Sequence, residues 1–260
     1  MDWCERGFLT IDDVQLEYSC SGPPPSDAPT VILLHEGLGS VDLWRDFPEQ
    51  LSKTLGCGVF SYSRQGYGAS DPVPLPRPLN YMTLEAINVL PKIVEHLSPT
   101  QFQLIGHSDG ATIAAIYAGD LGHDKLSGVT LIAPHFFTED MGITQIKAAR
   151  HAFETTDLPE KLGKYHRDAE NAFYGWNQSW LHPDFRSWDV QGVIGKITTP
   201  ILAIQGMEDQ YGTLRQIESI KARARVSVSV KILQDCKHSP HLEHPTKVLD
   251  TIKTFSEAFR

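Results

Sequence analysis

Phe102-Gln103-Leu104-Ile105-Gly106-His107-Ser108-Asp109-Gly110-Ala111-Thr112-Ile113-Ala114-Ala115-Ile116 joins a short apolar run, a serine framed by glycines, and a run of small apolar residues. Residues 102–105 suit a strand covered on both faces. Residues 111–119 are small and apolar enough for a well-buried helix. The pattern G-x-S-x-G alone is common. Between a buried strand and a buried helix it describes a nucleophile elbow, a strained turn that lifts the serine hydroxyl above the C-terminal end of its strand. The helix N-terminus below it favours developing negative charge. Ser108 is the candidate nucleophile, and the N–H of Asp109 a candidate oxyanion donor. A serine that merely caps a helix between two turn glycines is the competing reading; residues elsewhere in the chain weigh against it.

Outward from this turn, short apolar segments alternate with amphipathic ones. Residues 14–19, 31–34, 57–62, 129–133, 201–204 and 226–233 read as strands, and 42–55, 83–97 and 246–259 as helices, with Pro91 expected to kink or restart the second helix. This rhythm implies a mostly parallel sheet covered by helices on both faces. It breaks between residues 135 and 196, where no buried strand is evident but Phe136, Phe137, Phe153, Tyr165, Phe173, Tyr174, Trp176, Trp180, Phe185 and Trp188 accumulate. A structureless loop of that length is implausible. The division expected is a core of residues 1–134 and 197–260 and an inserted helical cap of residues 135–196. Most of these rings would form the cap's own core; Phe136, Phe137 and Trp176 are the candidates for substrate contact.

A serine hydroxyl needs a base, and the base needs an orienting acid. In an elbow of this type the acid and then the histidine follow the serine along the chain. Asp209 lies just beyond the strand 201–204, with Glu208 and Asp235 as competitors. His238 is the first of three histidines after the last strand, ahead of His241 and His244. His35-Glu36-Gly37-Leu38-Gly39 follows the strand 31–34, and backbone N–H groups within Glu36, Gly37 and Leu38 would complete an oxyanion hole with that of Asp109.

These motifs resemble the α/β-hydrolase superfamily, in the capped serine-hydrolase branch that includes carboxylesterases, meta-cleavage-product C–C hydrolases and cofactor-free haloperoxidases. The resemblance covers nearly the whole chain. It rests on Leu34-His35-x-Gly37-x-Gly39, on Ser63-Arg64-Gln65-Gly66-Tyr67-Gly68-x-Ser70, on the elbow, on Gly206-x-x-Asp209 and on His238-x-x-x-x-Glu243. It implies His238 as the base rather than His241 or His244, and a structural role for Arg64. Two positions depart from it. Glu36 stands where glycine is usual, and a carboxylate aimed at the oxyanion would oppose the chemistry. Asp109 stands where an apolar residue or glutamine is common.

The expected activity is hydrolysis of a small ester or related acyl compound through an acyl-enzyme, with no metal or organic cofactor. C–C bond hydrolysis of ring-cleavage diketones is the alternative within enzymes, and a ligand receptor on the same fold the alternative outside them. Bulk properties agree with a small-molecule partner. With 260 residues, 41% hydrophobic, the chain can bury a large core, and its net charge of −9 is spread along its length, which disfavours nucleic acid. Cys4, Cys20, Cys57 and Cys236 form no C-x-x-C pair, so zinc and redox-pair readings fail. With no apolar run of about 20 residues and no signal-like N-terminus, the expectation is a cytoplasmic protein without membrane attachment, as a monomer or homodimer.

Overall fold

The computed structural model describes residue 3 and residues 6–258, so Cys4 and the last residue of the expected final helix lie outside it. Eight strands form one sheet: β1 (Arg6–Ile11), β2 (Val14–Ser21), β3 (Thr30–Leu34), β4 (Gly58–Tyr62), β5 (Phe102–His107), β6 (Leu126–Ile132), β7 (Ile201–Gly206) and β8 (Val228–Leu233). Their spatial order is β1-β2-β4-β3-β5-β6-β7-β8. β1 and β2 pair antiparallel, as do β2 and β4; every other neighbouring pair is parallel. β5 therefore lies inside the parallel part, with its C-terminal end between those of β3 and β6.

The strand pleat divides the core in two. Ile32, Leu34, Phe60, Leu104, Val129 and Leu131 point to one face, under the helices 81–97 and Asp109–Ile116. Val31, Leu33, Val59, Ile105, Ile132 and Ile204 point to the other, where Phe47 and Leu51 of helix Phe47–Leu55 and Val248 and Ile252 of helix Pro245–Glu257 cover them. Alternate residues of strands buried on both sides thus read as one unbroken apolar run.

Local departures from the expected elements have identifiable causes. The helix expected over 42–55 is split: Val41–Trp44 is a 3₁₀ turn, Arg45 takes a φ of 55°, and the α-helix begins at Phe47 with Pro48 in its first turn. The helix expected over 83–97 starts at Tyr81 and widens into a π turn at Glu85–Val89, directly ahead of Pro91, whose nitrogen has no hydrogen to donate. Between β6 and β7 the chain is helical, with the helices Asp140–Thr155, Leu158–Leu162 and Ala169–Leu181 followed by two 3₁₀ turns. Among the described residues, its only bridge to extended chain is the isolated pair Phe137 and Asp189.

Candidate active site

Ser108 sits at the turn between β5 and the helix Asp109–Ile116 with φ 54° and ψ −118°, a conformation that non-glycine residues rarely adopt. Its N–H donates to the carbonyl of Ile132 at 2.9 Å. The flanking glycines allow the strained turn to close. A Cβ on Gly106 would stand 2.2 Å from the carbonyl oxygen of Gly110, and one on Gly110 would stand 1.9 Å from that of Leu34. Backbone therefore packs on backbone at both positions, and no side chain fits.

Three loops at the C-terminal ends of β5, β7 and β8 bring Ser108, Asp209 and His238 together. His238 Nε2 lies 2.9 Å from Ser108 Oγ. On the other side of the ring, Nδ1 lies 2.9 and 2.8 Å from the two carboxylate oxygens of Asp209. An ionised Asp209 only accepts, so Nδ1 carries the hydrogen and Nε2 presents its lone pair to the serine hydroxyl. Asp209 also accepts from Gln205 Nε2 at 2.7 Å and from the N–H groups of Tyr211 and Gly212 at 2.8 and 3.3 Å. Burial raises the pKa of this carboxyl, but the charge and hydrogen bond of His238 and the donated N–H outweigh it, and the net shift is downward. Glu208 is exposed, and Asp235 offers its carbonyl to His244. His241 is buried against Trp44 and Phe47.

The loop after β3 is tied down from behind. Arg64 donates to the carbonyls of His35 and Glu36, the latter at 2.9 Å, and His35 Nδ1 donates to the same Glu36 oxygen at 2.7 Å. The Leu38 carbonyl accepts from His166 Nε2 at 3.0 Å. Because a trans peptide sets its N–H opposite its carbonyl, fixing the Glu36 oxygen turns the Gly37 N–H the other way. Among the described residues, the N–H groups of Gly37, Leu38 and Asp109 have no protein acceptor.

A cavity of about 190 Å³ opens over Ser108. Glu36, Gly37, Leu38, Ser108, Asp109 and His238 line its floor, and Ile146, Trp176, Trp180, Gln210 and Tyr211 line its walls. Trp176 reaches down from helix Ala169–Leu181 onto Gly37, whose Cβ would fall 2.3 Å from the indole. The other two aromatic candidates do not line this cavity. Phe136 is fully buried in the core, where its N–H is held by Gln216. Phe137 bridges to Asp189, and its ring lies under the Arg215 guanidinium.

The two unusual carboxylates are disposed differently. Asp109 is fully buried; its Oδ2 accepts from the Tyr81 hydroxyl, which accepts in turn from Trp180 Nε1 at 3.1 Å. Its Oδ1 has no hydrogen-bond partner, and burial raises the pKa of the carboxyl against the pull of Arg64. Glu36 turns sideways to His107, 3.4 Å away. Neither carboxylate is hydrogen-bonded by Arg64 or by a backbone N–H. His135, which no motif singled out, also lines the cavity; burial and the neighbouring His238 push its imidazole down to about 3, so it is neutral. A histidine directly after a buried strand on the elbow's own sheet edge was the available signal.

A sequence profile described as "alpha/beta hydrolase fold" matches residues 29–162, from the start of β3 into the helical segment. The chain belongs to the α/β-hydrolase fold family. A proline iminopeptidase of Lactobacillus helveticus is 28% identical over 106 residues, which is 41% of this chain and 36% of the relative; the chain thus aligns with about a third of that protein. Among solved structures, the enol-lactonase of Burkholderia xenovorans LB400 superposes with a TM-score of 0.75 at 18% identity, covering 96% of this chain and all of the other. A structure from work on carboxylesterases of Nitrososphaera gargenis gives 0.78 at 19% identity, covering 97% and 98%. At these identities the superpositions speak for the fold. Among the described residues, no three His, Cys, Asp or Glu side chains are grouped to hold a metal ion, and no helix is long and apolar enough to cross a membrane.

Proposed function

We propose that this α/β-hydrolase-fold protein is a serine hydrolase of small esters or related acyl compounds. The observation that carries the reading is the unbroken chain from Ser108 Oγ through His238 to Asp209 beneath a small cavity. Ser108 attacks the acyl carbon as His238 Nε2 takes its proton. Asp209 holds the Nδ1–H tautomer and stabilises the imidazolium that forms. The N–H groups of Asp109 and Gly37 receive the oxyanion, assisted by the N-terminus of helix Asp109–Ile116. Proton return from His238 to the leaving group yields the acyl-enzyme, and a water activated by the same histidine releases it. In this reading residues 135–196 form a cap whose Trp176 and Trp180 limit the acyl group. The small, mostly apolar cavity and the fold-level likeness to esterase structures favour a compact acyl ester.

The test is a panel of p-nitrophenyl esters of increasing acyl length and ring-fission diketones, with fluorophosphonate labelling. Short-chain ester turnover with a single label on Ser108 is expected. Turnover of diketones alone would replace the ester reading with C–C hydrolysis, and near-single turnover of every substrate would favour a receptor.

A further inference from the structure

His107, next to the nucleophile, is flanked by two acceptors. Its Nε2 lies 2.7 Å from the main-chain carbonyl of His238, and its Nδ1 lies 3.4 Å from Glu36 Oε2. The ring is almost fully buried, whereas Glu36 is 30% exposed in its side chain. Two other buried histidines of this region are bonded differently. His35 accepts at Nε2 from the Arg64 N–H and donates from Nδ1 to the Glu36 carbonyl. His166 accepts at Nδ1 from the Gly68 N–H and donates from Nε2 to the Leu38 carbonyl. One donor and one acceptor suit a neutral ring; a carboxylate on one side and a carbonyl on the other suit an imidazolium.

We propose that Glu36 holds His107 as an imidazolium, and that this pair positions His238 by fixing its main-chain carbonyl. The role assigned to His238 rests on the serine-hydrolase reading; the charge state of His107 does not. Groups from every neighbouring loop bear on the ring. Glu36 comes from the loop after β3 and Asp209 from that after β7, and both favour the cation. His135, after β6, and His238 and His241, after β8, oppose it when charged. The directions agree with the geometry. Burial lowers the basicity of His107, but the hydrogen bond and charge of Glu36 and the His238 carbonyl raise it beyond the ordinary value, while His35 and His241 are held well below it by burial. Glu36 is correspondingly held below the carboxylate range. The pair also accounts for an acid beside the oxyanion loop: its charge is directed at His107, not at the position of the oxyanion. If His107 became neutral, its Nδ1 lone pair would face a carboxylate, and the contact between the loops after β3 and β8 would turn repulsive.

The experiment is ¹⁵N NMR of the histidine rings, with steady-state kinetics on p-nitrophenyl acetate, in the wild type, Glu36→Gln and His107→Asn. His107→Asn serves to assign the resonance. At pH 7.5 the wild type should show His107 with both nitrogens protonated, and Glu36→Gln should convert it to a neutral ring with hydrogen on Nε2. In kinetics, Glu36→Gln should lower kcat about 10- to 100-fold with KM within about twofold, as loss of alignment does. It should also move the alkaline loss of activity to lower pH. A neutral His107 in the wild type at pH 7.5, including one bonded to a protonated Glu36, would overturn the proposal. So would unchanged kcat and pH profile in Glu36→Gln. Should the wild type not hydrolyse the ester, the hydrolase reading fails on that arm, and the spectra still decide the charge state.

Discussion

The sheet edge that carries Ser108, Asp209 and His238 and the helical segment between β6 and β7, whose Ile146, Trp176 and Trp180 line the cavity with it, are built on different terms. On the sheet edge, each of these side chains follows the end of a parallel strand, and hydrogen bonds with backbone groups fix two of them: Ser108 by Ile132, Asp209 by Tyr211 and Gly212. In the helical segment, Trp176 is placed by ring packing against Phe173, and Trp180 by packing against Phe185 and Trp188 together with the bond from its N–H to the Tyr81 hydroxyl. Through Tyr81 and Asp109, the Trp180 N–H bonds the upper layer to the elbow. Under the proposed function, changes at the sheet edge should abolish rate, and changes in the covering segment should redistribute it among substrates.

The largest expected effects test the lower half of that contrast. Ser108→Ala should lower kcat about 10⁴- to 10⁶-fold and abolish fluorophosphonate labelling while leaving the fold intact by circular dichroism. Asp209→Asn keeps the shape but lets the wrong imidazole nitrogen carry the hydrogen, and should cost about 10²- to 10⁴-fold in kcat. Activity within tenfold of wild type for either variant would break the comparison at its base.

An intermediate effect tests the upper half. Trp176→Ala should enlarge the cavity beside Gly37. The ratio of kcat/KM for octanoate over acetate p-nitrophenyl esters should then rise about tenfold, with kcat for acetate little changed. Phe136 is the internal control: buried beside β6 and absent from the cavity wall, it should cost about 3–5 kcal/mol of stability on truncation to Ala without altering that ratio. Paired measurements of Tm and of the two ester rates separate these outcomes. A shift in acyl preference from Phe136→Ala would place the pocket elsewhere.

The same contrast governs what could be read in advance. Strands buried on both faces announce themselves as apolar runs, and β3 to β7 were legible for that reason, as were the turns that follow them. β1 was not. Arg6-Gly7-Phe8-Leu9-Thr10-Ile11 does not alternate cleanly, and the turn into β2 uses Asp12 and Asp13, both at positive φ, where glycine would have been the signal. Aromatic density set residues 135–196 apart as an expected helical cap, but density does not say which ring faces down. Phe136 and Phe137 were read as cavity residues and Trp180 was not, because orientation there depends on packing between helices distant in sequence. Polar partners were hidden for a related reason. Gln205 at the end of the apolar run 201–204 was a visible anomaly, and it supports Asp209. The pairing of Glu36 with His107 joins positions 71 residues apart, and no local pattern encodes it.

The smallest predicted effect concerns the hydrogen bonds between the two layers. Asp109 is fully buried with one oxygen unpartnered, and burial lifts its pKa above the ordinary carboxyl value. Between the unfolded and folded values the native chain holds more protons than the unfolded chain, so this group makes stability fall as pH rises through that window. Asp209 has the opposite sign: its pKa is lowered, and the stability it contributes is present above the unfolded value and lost as pH falls through the folded one. Asp109→Asn keeps an acceptor for the Tyr81 hydroxyl and removes only the titration. Relative to wild type, the variant should therefore gain in Tm as pH rises from 4 to 8, by about 2–4 °C for each kcal/mol of ionisation cost removed. A Tm difference that does not change with pH would mean that Asp109 is ionised in the folded chain throughout, held by Arg64, and that the bond from Trp180 through Tyr81 ends on a charge.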